Sequence, residues 1–272
     1  MSIPLVTEMS IHRVSAGKTT DMKDLLATEE PLEIRLVYGK EKRKTNLAVT
    51  MRTPGNDEEL AIGFMYAEGI IKSSNEVLSF EQIDDNIVQI TLDEHVDVAE
   101  KKIERNFYTT SSCGVCGKAS IDAIKTECNI YDKEKPFTLP ASLIHTLPDK
   151  LGQVQSAFQD TGGIHAAALF NLTGDLLLVR EDVGRHNALD KLVGAAIKSG
   201  SLPLNQHILL LSGRASFELI QKATMAGIKV VCAVGAPSSL AVQTADEFGI
   251  TLVGFLKKER FNIYTEKQRV NS

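Results

Sequence analysis

No apolar run in this 272-residue chain approaches the ~20 residues needed to span a bilayer. The opening MSIPLVTEMSIHRV lacks a basic start followed by an apolar core, so it does not read as a secretory signal. Cysteine is scarce. Four residues cannot staple a chain of this length, which excludes a disulfide framework and points to reduced thiols in the cytoplasm. Positive charge is not in excess: 30 basic residues face 35 acidic ones, a formal net charge of −5. That balance argues against a general nucleic-acid binder, which would be basic. Internal repeats and low-complexity segments are absent as well. What is present is an ordinary globular composition, 43% hydrophobic and 24% charged, long enough for two domains.

Pattern then divides the chain. The first ~25 residues are polar and are expected to be loosely held. LEIRLVYGKEKRKTNLAVTMRT alternates apolar and polar residues as a strand pair turning at GKEKRK. DEELAIGFMYAEG reads as a helix, capped by Asn56 or Asp57 and stopped at Gly69. IVQITL is a further strand, and KKIERNFYTT another candidate. These elements make a smaller α+β domain over 1–135. ECNIYDKEKPFTLP reads as a connection, followed by two short helical segments broken by Pro148. In the second, Leu151, Val154 and Phe158 share helical spacing. From Gly162, short continuous apolar strands alternate with amphipathic helices. Residues 136–272 therefore read as a three-layer α/β domain with largely parallel strands.

Two constellations carry chemistry. SSCGVCGK holds Cys113 and Cys116, each followed by glycine. Glycine frees the backbone and removes side-chain cover, so such a thiol can visit two partners. Three uses stay open: a reactive or sulfur-carrying pair, half a metal site, or a redox disulfide. A zinc site can be written with Cys113, Cys116, Cys128 and His145, but it lacks a second tight ligand pair. Cys232, in VVCAV, reads as a small core residue.

The second constellation is REDVGRHNALDK, where a strand ends and a helix begins. Asp182, Arg185, His186 and Asn187 fall there; SGRAS, with Ser212 and Arg214, follows the next strand, and GAPSS the one after. Each alone is an ordinary helix cap. Three glycine-containing polar strand ends on one sheet edge read as a small-ligand site. Lys257, Lys258 and Arg260 follow the last long strand and read either as a phosphate grip or as a solvated tail.

MRTPGNDEELAIGFMYAEGII, SSCGVCGK, TGGIHAAAL, REDVGRHNALDKLVG, LSGRASFELIQKA and GITLVGF, in this order, resemble the formate dehydrogenase accessory sulfurtransferase (FdhD) family. The resemblance runs from about Leu32 to the C-terminus. It implies a sulfurtransferase that acts as a sulfur carrier. Persulfide sulfur would come from a cysteine desulfurase and pass to molybdenum bis(molybdopterin guanine dinucleotide), a bound substrate destined for formate dehydrogenase. It implies Cys113 as carrier, Cys116 as helper, and a cofactor-binding stretch at Phe255, Leu256, Lys257, Lys258, Glu259 and Arg260. Asp182, Arg185, His186, Ser212 and Arg214 are expected to hold the guanine dinucleotide portion. No structural metal, nucleic acid or membrane partner is expected, and a homodimer fits the family. The larger domain in this family is similar to the cytidine-deaminase fold. Here His186-Asn187-Ala188 lacks the glutamate of H-x-E, and Gly213-Arg214-Ala215-Ser216-Phe217 lacks cysteine. A zinc deaminase is therefore not expected.

Overall fold

The computed structural model describes residues 4–98 and 136–271. The chain opens with a hairpin, β1 (Val6–Ser15) and β2 (Lys18–Ala27), where a loosely held segment was expected. Its turn residues Ala16 and Gly17 both have positive φ, 48° and 78°, the two-residue geometry that matches strand twist. Most of its side chains are exposed, so burial periodicity gives no sequence signal.

A four-stranded sheet follows, in the order β4-β3-β6-β5, with β3 Glu30–Tyr38, β4 Arg43–Arg52, β5 Val77–Asp84 and β6 Ile87–Leu92. Leu32, Ile34, Leu36, Leu47, Val88, Ile90 and Leu92 cover its buried face. The edge strand β5 escapes sequence reading because its apolar residues do not alternate, and Leu78 and Ile83 stay exposed. Helix α1 (Asp57–Ala67) crosses the buried face. Its start differs from expectation. Asn56 is left-handed (φ 58°) and makes no side-chain cap, while Asp57 accepts two 3.0 Å hydrogen bonds from the buried Arg52 guanidinium. Arg52 also donates to Asn86 Oδ1 and Asp85 O, tying the helix start to the β5–β6 turn. Gly69 ends the helix at φ 64°.

After β7 (Leu139–Pro140) comes α2 (Ala141–Gly152), with Pro148 inside it. The expected break falls later, before α3 (Ser156–Thr161). Leu151 is buried, but Val154 and Phe158 are about half exposed, so the three do not form one buried face. The main sheet is six-stranded, β13-β12-β11-β10-β8-β9. Its strands are β8 His165–Asn171, β9 Leu176–Asp182, β10 His207–Leu211, β11 Val230–Ala233, β12 Thr251–Gly254 and β13 Asn262–Ile263. The helices between them are α4 (Arg185–Lys198), α5 (Phe217–Met225) and α6 (Ser239–Glu247).

The sheet is mixed, not largely parallel. Only β10–β11 and β11–β12 pair in parallel, through helical crossovers. β8 pairs antiparallel with β9, because the tight turn at Leu172-Thr173-Gly174 can only join antiparallel strands, and also with β10. β9 nevertheless points the same way as β10, β11 and β12.

Side chains alternate across this sheet. Ala166, Ala168, Phe170, Ile208, Leu210, Val230, Cys232 and Val253 pack with α2 residues Ile144, Leu147 and Leu151. Ala167, Leu169, Leu209, Leu211, Val231, Ala233 and Leu252 join α4, α5, α6, α1 and the buried face of the four-stranded sheet in one larger core. α1 and α4 touch backbone to backbone at Gly63 and Gly194. A Cβ on either would stand 1.9 Å from a carbonyl oxygen of the other helix. The last strand, β14 (Val270–Asn271), pairs in parallel with β7. Among the described residues, no helix is long and apolar enough to cross a membrane.

Candidate functional site

The common direction of β9, β10, β11 and β12 puts four strand ends on one edge of the main sheet. Helices α4, α5 and α6 begin there, and antiparallel β8 starts there, at His165. The edge predicted from the three polar strand ends therefore exists, and the 255–260 stretch lies beside it. Phe255 N donates to Gly235 O and Leu256 N to Ala233 O, which lays this segment against the loop after β11. Phe255 takes a left-handed φ of 52° and is 41% exposed. Leu256 is buried in the core below. Lys257, Lys258, Glu259 and Arg260 are exposed on a turn closed by Lys257 N donating to Arg260 O at 2.9 Å.

The residues at the edge divide by task. Asp182 faces inward and is fully buried. Its Oδ2 accepts from Lys191 Nζ at 2.7 Å and Thr53 N at 3.2 Å; Oδ1 accepts from Gly184 N at 2.8 Å and Asn187 Nδ2 at 3.1 Å. Burial pushes its carboxyl up from the ordinary aspartate value, against the pull of Lys191. Both oxygens are occupied, so Asp182 braces the floor of the site. Ser212 continues the β10–β8 ladder, its Oγ accepting from Ala166 N at 2.8 Å. Ser238 is an ordinary cap, accepting from Ala241 N at 3.2 Å.

Arg185, His186 and Arg214 face the edge differently. Arg214 is exposed and its backbone packs on Gly235, where a Cβ would meet Arg214 N, Cα and Cγ at 3.0 Å. Arg185, in the first turn of α4, has its Nε buried without a hydrogen-bond partner. His186 Nε2 lies 2.8 Å from Glu218 Oε2 and 3.2 Å from Ser216 Oγ. The hydrogen bond from His186 holds the Glu218 carboxyl below its ordinary value. Ser216 and Glu218 meet the same ring nitrogen, so His186 cannot relay a proton between them as a nucleophilic triad requires.

One further residue of this edge, His165, falls within TGGIHAAAL. His165 pairs with Asp182 across β8 and β9, and its ring rests on Gly213, where a Cβ would come within 3.1 Å of Nδ1. Burial pushes its pKa below the ordinary histidine value, with Arg185, His186 and Arg214 adding to the effect. The signal available in sequence was a histidine opening an apolar strand behind two glycines.

Cys113, Cys116 and Cys128 lie outside the described residues. Cys232 is fully buried, and burial pushes its thiol up to about 12, so it is an inert core residue. His145, the fourth member of the written zinc set, makes a 3.0 Å Nδ1 hydrogen bond with Lys257 O and packs on Phe261. Among the described residues, no cluster of His, Cys, Asp or Glu could hold a metal ion. A cavity of about 310 Å³ lies at the start of α1, and its acids Asp57, Glu58 and Glu59 are paired with Arg52, Lys198 and Arg180.

A mixed α/β sheet that gathers four strand ends, three helix starts and basic side chains on one edge defines the class by its architecture. Within it, the chain belongs to the FdhD/NarQ family, whose model matches residues 27–271. Relatives named sulfur carrier protein FdhD include one from Streptomyces avermitilis, 49% identical, covering 97% of this chain and 96% of the relative. One from Mycobacterium tuberculosis is 45% identical over 96% of both chains. One from Saccharolobus solfataricus is 38% identical, covering 97% of this chain and 98% of its own. A crystal structure from Desulfotalea psychrophila, provisionally assigned as a formate dehydrogenase accessory protein, shares the fold. Its TM-score is 0.77 at 23% identity, over 98% of this chain and all of that one.

Proposed function

We propose that this protein is a sulfur carrier required for formate dehydrogenase activity. The observation that carries the reading is near full-length similarity to relatives named sulfur carriers, in a chain that holds the Cys113-x-x-Cys116 pair. In this reading the Cys113 thiolate attacks the outer sulfur of a persulfide on a cysteine desulfurase. A new S–S bond forms at Cys113, and the desulfurase cysteine leaves as thiolate. The Cys116 thiolate can then attack Cys113 Sγ, forming a Cys113–Cys116 disulfide and releasing hydrosulfide to the molybdenum centre. A dithiol reductant resets the pair.

The substrate that receives the sulfur, molybdenum bis(molybdopterin guanine dinucleotide), carries diphosphates and guanines. Arg185, His186, Arg214 and the 255–260 stretch are the groups proposed to bind it, with Asp182 and Ser212 holding the backbone beneath. Support comes from the orphaned Arg185 Nε, an unused donor beside a helix N-terminus. Holding the ligand there would supply proximity, and the cysteine pair the reactive atom. The cytidine-deaminase likeness is supported by the position of His186-Asn187-Ala188 and of 213–217 at two helix starts on one edge, with Ala188 fully buried. Action in the cytoplasm as a homodimer, delivering the cofactor to formate dehydrogenase, completes the proposal.

The test is intact mass after incubation with a desulfurase and cysteine. The native chain gains one sulfur and Cys113→Ala gains none. An adduct that persists in Cys113→Ala and disappears in Cys116→Ala reverses the assignment. No adduct on the native chain removes the carrier reading.

A further inference from the structure

This inference rests on the proposed function, in that it takes the sheet edge as the seat of a diphosphate. Two groups there carry nitrogens without partners. Neither ring nitrogen of His165 has a hydrogen-bond partner among the described residues, and Arg185 Nε is buried and unpaired. The His165 ring is held in place, half-buried, by β-pairing with Asp182 behind it and by Gly213 beneath it. We infer that His165 is a phosphate-contacting residue that takes up a proton when a diphosphate occupies this edge, linking ligand binding to pH.

The charges facing His165 explain the linkage. Arg185 and His186 face it from α4, and Arg214 from the loop after β10. Asp182 is the acid that opposes them at His165, and its carboxylate is already committed to Lys191, Thr53, Gly184 and Asn187. Glu218 is committed to His186. Without ligand, a further positive charge is therefore disfavoured, by burial first and by the neighbouring Arg185, His186 and Arg214 second, and the imidazole stays neutral near pH 7. A diphosphate reverses the sign of the local field. The imidazolium then becomes favourable and offers two N–H donors where the neutral ring offers one. Protons are taken up in the window between the low ligand-free pKa and the higher ligand-bound one. Affinity should rise as pH falls through that window, by up to about tenfold per pH unit.

Calorimetry on the full chain tests this, with guanosine diphosphate and inorganic pyrophosphate as probes, each in two buffers of different ionisation enthalpy. The expected result is proton uptake by the protein beyond that of the ligand itself. His165→Gln should abolish the excess and flatten affinity against pH. Gly213→Ala, which crowds the ring without removing it, should weaken binding several-fold while leaving some uptake. Uptake with both probes assigns the effect to the diphosphate alone. Uptake with the nucleotide only supports the same proposal, with the base needed as an anchor. Binding without excess uptake by the native chain overturns the proposal and leaves the edge reading intact, as does excess uptake that persists in His165→Gln. Binding of neither probe overturns the edge reading and the proposal with it. The native-chain measurement does not depend on any variant folding.

Discussion

Lys191 is the residue on which most of the junction turns. It is 1% exposed on α4, and its ammonium reaches Asp182 Oδ2 at 2.7 Å, Thr53 O at 2.8 Å and Glu181 O at 3.3 Å. Its partners come from β9 and from the segment after β4, so one charge ties both sheets together. Lys191→Met should leave Asp182 buried without its cation and lower unfolding free energy by about 3–5 kcal/mol, measured by urea denaturation. A second buried pair, Asp190 on the same helix with Lys222 on α5 at 2.8 Å, ties α4 to α5. His207 adds a pH dependence of definite sign. Burial lowers the pKa of His207 in the fold, so the unfolded chain binds that proton more readily. Its contribution is complete above the unfolded value of about 6.5 and is lost as pH falls through the folded one. Between about pH 5 and pH 7 the urea midpoint of His207→Gln should therefore gain less with rising pH than that of the native chain. An equal slope in the variant would contradict this.

At the scale of elements, the α1–α4 crossing is the tightest contact described. Gly194→Ala would place its Cβ 1.9 Å from Glu59 O, a backbone atom that no rotamer can move. The helices must separate, so the variant should lose 3 kcal/mol or more, roughly the upper end of overpacking costs. Gly200→Ala, at φ 69° with open space around it, serves as a control that pays only for its backbone conformation. Legibility also divides by element. β10, β11, β12 and helices α4 to α6 read directly from sequence, because continuous apolar strands alternate with one-sided helices. The β1–β2 hairpin does not, since a ribbon exposed on both faces has no buried side to set a period. Pro148 misleads because the flanking α2 residues Ile144, Leu147 and Leu151 are all buried, and this packing holds the helix through it.

For the molecule as a whole, the larger core decides behaviour. Residues before 98 and after 136 share it, and Tyr66 Oη donates across it to Met225 O at 2.9 Å. Thr50, Met51 and Thr53 hydrogen-bond to Asn187, Asp182 and Lys191 at its rim. Thermal unfolding of the full chain should therefore be a single transition with equal calorimetric and van't Hoff enthalpies. Two resolved transitions would contradict a shared core. The candidate edge was legible in sequence to the same depth as the sheet. Strand-end loops announced Arg185, His186 and Arg214. The inward turn of Asp182, and His165 opposite it, were not legible, because both depend on strand register between residues 17 apart in sequence.

The segment that carries Cys113 and Cys116 leaves the described fold at the buried Val98 and returns at the fully buried Leu139, where β14 pins it. Both ends are thus moored in the core, whatever lies between. For a thiol so moored, meeting the strand-end edge of its own chain is intramolecular and independent of how much protein is in solution. On the proposed reading, handing sulfur to a ligand held on that edge is then a first-order event, with a rate unchanged by dilution. Loading from a separate desulfurase remains second order. Sulfur would be gathered at a pace set by abundance and given up at a pace independent of it.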